Sequence, residues 1–326
     1  MDRAKLTGLV LAYLLGTAAP GGWLHAQPFP NRAITVIVPF PPGGSSDTVM
    51  RQIGRRLAEN VGQQVVIDNK AGAGGVVGAV AVKNAAPDGY TLYLGHVGTH
   101  AVNVTLYPKL GYDPVKDYRP ITPFMSFPSV LVVPAASPAK SVAELVALAK
   151  SKPGGLSFTS QGHGTAGHLL GEMMRTETGA PLVHVPMKGA APAVAEVVAG
   201  RGDLLFSSYI SAGPFIRDGR LRMLAIASRN RSQTLPYLPT LVELGIPNVE
   251  FEQWFGLFAP ARTPDAVVQR LNAEIIRAVE SPEVTQMLNS QAADIVTSTP
   301  EAFAQKIAAD TARLAKVVRS VGAKVD

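Results

Sequence analysis

Val38-Pro39-Phe40-Pro41-Pro42-Gly43-Gly44-Ser45-Ser46-Asp47-Thr48 reads as a strand end, a glycine turn and a helix start. It follows a β-branched run, Ile34-Thr35-Val36-Ile37-Val38. It precedes apolar residues spaced by four, Val49, Ile53, Leu57 and Val61, which is the spacing of a helix face. At such a junction backbone N–H groups face outward and the helix dipole favours an anion. Gly43 and Gly44 let the backbone approach a ligand with no Cβ in the way. Ser45, Ser46 and Asp47 are all residue types that cap helices.

The construction recurs. Residues 156–168 run from a strand ending at Ser160 through a turn into a helix that opens near Thr165. Ala166, Leu169, Leu170, Met173 and Met174 form its apolar stripe. Within it, residues 162–167 match the dinucleotide pattern G-x-G-x-x-G. The confirming acidic residue is missing at the end of the next strand, Val183-His184-Val185-Pro186, so a nicotinamide cofactor is disfavoured and none is expected. Residues 185–191 repeat the theme, with Lys188 and Gly189 before a helix carrying Val194, Val197 and Val198. Lys188 suits either an acidic ligand or bulk water. Two more glycine loops follow strands: residues 69–78, which lack a Walker ending, and Gly95-His96-Val97-Gly98-Thr99-His100. Open α/β sheets bind ligands outside the carboxyl ends of their strands, where all these loops fall.

Strand patterns at 34–39, 64–67, 91–95, 129–133, 156–160, 182–185, 203–206, 222–227 and 254–258 alternate with helical patterns. The helices are expected at 47–60, 74–85, 141–150, 166–178, 190–199, 264–280 and 300–321. This alternation predicts an α/β fold with largely parallel sheets.

Composition excludes several functions. The chain has 326 residues, is 47% hydrophobic and carries a formal charge of +6 with no dense basic block. That is globular, and it gives no footprint for nucleic acid. There is no cysteine, which rules out disulfides, thiolate metal sites and cysteine nucleophiles. No G-x-S-x-G elbow or H-E-x-x-H helix occurs, so no catalytic residue is expected. His163 and His168 are five apart with no matched acid, so no metal site is expected either. At the N-terminus, Arg3 and Lys5 precede an apolar run to Ala19, and Leu24-His25-Ala26 offers a cleavage site. Residues 1–26 therefore read as a secretory signal, with the mature chain exported and soluble in the periplasm.

Seven strings in order resemble the receptors of tripartite tricarboxylate transporters, the Bug family. They are V-P-F-P-P-G-G-S-S-D from Val38, N-K-A-G-A-G-G-V-V-G from Asn69 and P-D-G-Y-T-L-Y-L-G from Pro87. The others are S-Q-G-H-G-T-A-G-H-L from Ser160, V-P-M-K-G-A-A-P-A from Val185, L-P-Y-L-P-T-L-V-E-L-G from Leu235 and W-F-G-L-F-A-P-A-R-T-P from Trp254. The resemblance implies a two-lobe type II periplasmic binding protein fold, α/β in each lobe, with the ligand cleft between lobes. It implies lobe one at 27–123 plus 241–326 and lobe two at 124–240, with crossings near 121–134 and 232–240. The implied ligand is a small carboxylate, a dicarboxylate or an aromatic acid, and the implied partners are two membrane subunits of the transporter. The chain is expected to act as a monomer, not as an enzyme. The implied lobe-one contacts are Phe40, Pro41, Gly43, Gly44, Ser45, His96, Gly98 and Thr99, with Asp47 supporting the loop. In lobe two they are Ser160, Gly162, Gly164, Thr165, His168, Lys188, Gly189, Ser207 and Tyr209. Ser207 and Ser208 stand where many relatives carry an acid, which removes a partner for an ammonium group and points away from amino acids.

Overall fold

In the computed structural model, which describes residues 29–232 and 234–320, the run Ile34–Val38 forms the first strand, β1. The expected signal segment lies outside the described residues. Residues 29–31 belong with a separate N-terminal unit, and the fold below is that of the unit starting at Arg32.

Helix α1 (Ser45–Val61) buries Val49, Met50, Ile53 and Leu57 and stops at Gly62, which takes the left-handed conformation at φ 67°. β2 (Val65–Asn69) and β3 (Thr91–His96) pair with β1 in parallel on either side. Between them lies α2 (Val76–Lys83), and after β3 a π turn (Gly98–Val102) runs into the short α3 (Asn103–Leu106). β4 (Tyr118–Phe127) completes one edge, and the sheet is closed by a strand from far along the chain, β10 (Gln253–Pro260). The order is β2-β1-β3-β10-β4, with β10 antiparallel to both neighbours.

The second sheet copies this plan. It contains β5 (Ser129–Pro134), β6 (Leu156–Ser160), β7 (Leu182–Pro186), β8 (Leu204–Ser208) and β9 (Leu221–Ile226) in the order β7-β6-β8-β5-β9. β5 is the reversed strand here. Its helices are α4 (Val142–Ser151), α5 (Ala166–Thr178), α6 (Ala190–Val198) and α7 (Tyr209–Arg217). The chain then returns to the first sheet and adds α8 (Asp265–Val279), α9 (Pro282–Ser290) and α10 (Pro300–Ser320). Two mainly parallel sheets, each flanked by helices, form the two lobes of a type II binding-protein fold.

The passages between sheets are short and adjacent. Only Pro128 separates β4 from β5. On the return, Phe251 N–H still donates to Ala227 O at the end of the second sheet (3.1 Å), and Gln253 already pairs with Phe127 in the first. Residues 121–134 are therefore two strands joined at one proline.

Close packing of α5 on its sheet depends on Gly171. A Cβ there would sit 2.1 Å from the ring of the fully buried Phe158. Gly171→Ala gains helix propensity of up to about 1 kcal/mol. The overpacked ring outweighs it, and net destabilisation of about 1–3 kcal/mol is expected. Urea unfolding of both proteins measures this; an unchanged midpoint would mean the contact is looser than described.

Candidate ligand-binding site

Four helices begin at one place. α1, α5, α6 and α7 start at the carboxyl ends of β1, β6, β7 and β8, the first from one sheet and the other three from the other. They meet at a cavity of about 40 Å³. Gly44, Ser45 and Ser46 reach it from α1, Thr165 and Ala166 from α5, Ala190 from α6 and Ser208 from α7. The N-cap residues of α1 and α6 are Gly44 and Gly189, which have no side chain to cap with. Thr165 caps α5 in position only, because its hydroxyl donates to Gly162 O at 2.7 Å. Only Ser208 turns its hydroxyl to its own helix, accepting from Ser211 N–H at 3.4 Å. Three helix starts thus present first-turn N–H groups with no side-chain cap. Phe40, Val97, Trp254 and Phe255 supply apolar walls, and His96, Gln161 and Gln253 supply polar ones. Among the described residues lining the cavity there is no Asp, Glu, Lys or Arg.

The first loop is rigid because Asp47 is spent inside it. Its buried carboxylate accepts from Gly43 N–H (3.0 Å), Arg51 Nε (3.1 Å) and Asn69 Nδ2 (3.0 Å). Asn69 also donates to Phe40 O at 2.9 Å. Burial alone would push the Asp47 carboxyl up, but the bonds from Arg51, Gly43 and Asn69 outweigh it and hold it below the usual range.

The second loop fixes one imidazole. His96 Nδ1 accepts from Gly98 N–H at 3.0 Å, so the ring proton is assigned to Nε2. That Nε2 is buried and has no hydrogen-bond partner among the described residues. The ring lies against Phe40 (5.2 Å between centres) and edge-on to Phe255 (6.4 Å). Burial lowers the His96 pKa to about 3, so the ring is a neutral donor at physiological pH. Thr99 sits behind it, its hydroxyl accepting from His96 N–H at 3.1 Å.

The second sheet's glycine loop is tied in the same way. Ser160 Oγ accepts from Gly162 N–H at 3.1 Å and lies 2.7 Å from His184 Nε2. Gly164 N–H donates to His168 Nδ1 at 3.2 Å, and His168 stacks on His184 at 4.2 Å. Burial lowers His168 to about 4 and His184 to about 3, with their imidazole neighbours adding to the shift. Beside the cavity runs a groove of about 570 Å³ lined by Phe40, Pro41, Gly162, His163, Met187 and the exposed Lys188, among others. Gly189, at φ 119°, lets the two sheets meet here: a Cβ would lie 2.9 Å from Pro41 Cδ.

Of the residues singled out from the sequence, Phe40, Gly44, Ser45, His96 and Thr165 line the cavity. Pro41, Gly162 and Lys188 line the groove. Gly43, Asp47, Gly98, Thr99, Ser160, Gly164, His168 and Gly189 shape the loops from behind. Ser207 is buried, its hydroxyl without a hydrogen-bond partner among the described residues, and Tyr209 opens α7 half-buried. Sequence reasoning missed Ser46, Val97, Gln161, Ala166, Ala190, Gln253, Trp254 and Phe255 as cavity walls. Gln161 and Ala166 lay inside a recognised motif, whereas Gln253, Trp254 and Phe255 arrive on the reversed strand from the far end of the chain.

The sequence profile of the tripartite tricarboxylate transporter family receptor matches residues 49–323. The chain belongs to this family. The receptor is 37% identical to Protein BugT of Bordetella pertussis over the whole length of both chains. It superposes on R. palustris Rpa4515, solved with adipate, at TM-score 0.88 and 34% identity, covering 91% of this chain and 100% of that one. It superposes on MatC (Rpa3494) of Rhodopseudomonas palustris, solved with bound malate, at TM-score 0.85 and 34% identity, covering 89% and 100%. The receptor is thus a solute-binding protein by family. Among its described residues no helix is long and apolar enough to cross a membrane.

The buried His96 makes the receptor's stability fall in mild acid. Its folded pKa, about 3, lies below that of an unfolded histidine, about 6.5. Between those values only the unfolded chain takes the proton, so stability is full above about pH 6.5 and drains as pH falls toward 3. His96→Gln keeps an acceptor for Gly98 N–H and should flatten this fall by up to about 1.4 kcal/mol per pH unit. Urea unfolding at about pH 7, 6 and 5 reads it; an identical slope in the variant would remove His96 as the cause.

Proposed function

We propose that this receptor captures a small organic dicarboxylate between its two lobes, in the periplasm, and delivers it to the membrane subunits of a tripartite transporter. The observation that carries the proposal is the meeting of three uncapped helix starts, drawn from both sheets, at a cavity with no charged side chain. Aligned N–H groups and positive dipole ends hold a carboxylate without a buried cation. His96 Nε2–H adds one more neutral donor. The walls of Phe40, Val97, Trp254 and Phe255 suit a carbon chain or ring. Lys188, at the groove, is placed for a second acidic group.

The site disfavours amino acids. Ser208 lines the cavity where an acid would be needed to pair an ammonium group. A hydrolytic reading also lacks support, because His96 spends Nδ1 on Gly98 and cannot serve as base to Ser45, Ser46, Thr165 or Ser208. The adipate and malate held by the two structural relatives fall in the proposed class.

For the motion, we place lobe one at residues 32–127 with 253–320 and lobe two at 129–251, with the hinge at Pro128 and Glu252. This shifts the boundaries from 123/124 and 240/241 to the points where the chain changes sheets. Two neighbouring single-residue crossings permit lobe closure about one axis, which expels water and strengthens every bond to the anion.

Titration calorimetry with C4–C6 dicarboxylates, benzoates and amino acids tests the reading. Dicarboxylates should bind and raise the melting temperature in proportion to their affinity, while zwitterions should not. Gly44→Val should weaken binding at least about tenfold, near 1.4 kcal/mol. A Cβ at Gly44 already lies 3.8 Å from Ala190 Cβ across the cavity, and φ there is not strained, so the loss of stability should be limited to that of a poorer N-cap, about 1 kcal/mol. Native affinity in that variant, or amino acids binding in place of dicarboxylates, would defeat the proposal.

A further inference from the structure

We propose that His163, His168 and His184 form a binding site for one divalent transition-metal ion of the zinc, nickel or copper class, at the edge of the groove. The three residues come from different elements: the glycine loop after β6, the first turn of α5 and the middle of β7. Ring nitrogens from all three lie within 4.8 Å of one another. Imidazole is the donor these ions share a preference for.

The His163 ring stands 5.4 Å from His168 and 5.3 Å from His184, at 84° and 89° to them. Two imidazoles on one tetrahedral ion, with metal–nitrogen bonds of about 2.0–2.1 Å, hold their ring centres roughly 5 Å apart. The ring spacing about His163 matches this, and the three ligand nitrogens, now within 4.8 Å of one another, draw in to roughly 3.3 Å when an ion binds. Its Nδ1 is buried with no hydrogen-bond partner among the described residues. A buried unpaired nitrogen is costly unless something fills it.

His184 is oriented as metal-bound histidines are. Ser160 Oγ is 2.7 Å from its Nε2 and is also placed to donate to Gly162 O (3.2 Å), so the hydroxyl accepts from His184 Nε2–H. That leaves the Nδ1 lone pair for an ion, with the serine as its outer partner. His168 is the ligand that must adjust. It gives up the long 3.2 Å bond from Gly164 N–H, and its ring rotates out of the stack on His184 (4.2 Å, 15°), because two near-parallel imidazoles cannot both hold one ion in their planes. His163 lines the groove, which gives the ion a route in from solvent and leaves its fourth position to water.

Calorimetric titration of Zn²⁺ into the full chain, freed of metal by chelator, tests the site, with the Co²⁺ absorption band as a second readout. One ion per chain should bind at micromolar or tighter affinity, and Co²⁺ should give the visible band of a four-coordinate nitrogen site. His163→Ala, at a half-exposed loop position that should not impair folding, should weaken Zn²⁺ by at least about tenfold, as should His184→Ala. Unchanged Zn²⁺ affinity in His163→Ala, or no saturation below about 1 mM in the parent chain, would show that the three rings are only packed together. Dicarboxylate binding is measured on the same samples, so loss of one activity is told apart from loss of the other.

Discussion

A helix start leaves backbone N–H groups with no partner inside the helix, and this chain gathers four such starts at one cavity. The arrangement would be unfavourable for packing alone, since polar groups turned inward need partners. It becomes favourable when an anion supplies oxygen atoms to several of them together. Much else around the cavity serves that condition. Glycines replace capping side chains at Gly44 and Gly189. Asp47, the one acid in the first loop, is turned away, its charge neutralised by Arg51 and its carboxylate held by a hydrogen bond from Asn69. His96 is held neutral by burial and contributes a proton without a charge.

The sheets put these starts within reach of each other. Each lobe places its helix starts at the carboxyl ends of parallel strands, and one reversed strand in each sheet follows directly on a passage between sheets. β10 also brings Gln253, Trp254 and Phe255 to the cavity. Gln253 Nε2 donates to Ser129 Oγ at 2.6 Å, joining the two reversed strands where the chain crosses. Trp254 Nε1 donates to Asp310 on α10 at 2.9 Å, so the cavity wall is anchored to the C-terminal helix. The wall, the hinge and the outer helix are therefore one connected structure.

Much of this was legible in the sequence. The strand, turn and helix around Val38–Thr48 follow from local periodicity and cap chemistry, and so do their counterparts at Ser160 and Gly189. β4 was not legible because Pro120 and Pro123 argue against a strand. The fold tolerates them because β4 is an edge strand, and both register shifts against β10 fall beside these prolines. α7 was hidden by Gly213 and Pro214. α9 carries a start signal in sequence, Ser281 before Pro282, but its nine residues are too short for a clear periodic stripe. The histidine cluster shows the limit of spacing arguments. His163 and His168 look unmatched in sequence, and the third ring arrives only because β7 pairs with β6 in a register that sets His184 beside Phe158.

The most direct measurement is a crystal structure of the chain with a bound C4–C6 dicarboxylate. The account predicts one carboxylate in the cavity, its oxygens about 2.7–3.1 Å from first-turn N–H groups of α1 and of α5 or α6, with no Arg or Lys touching it. A carboxylate held instead by surface cations, or lying in the groove without contact to any helix start, would contradict it.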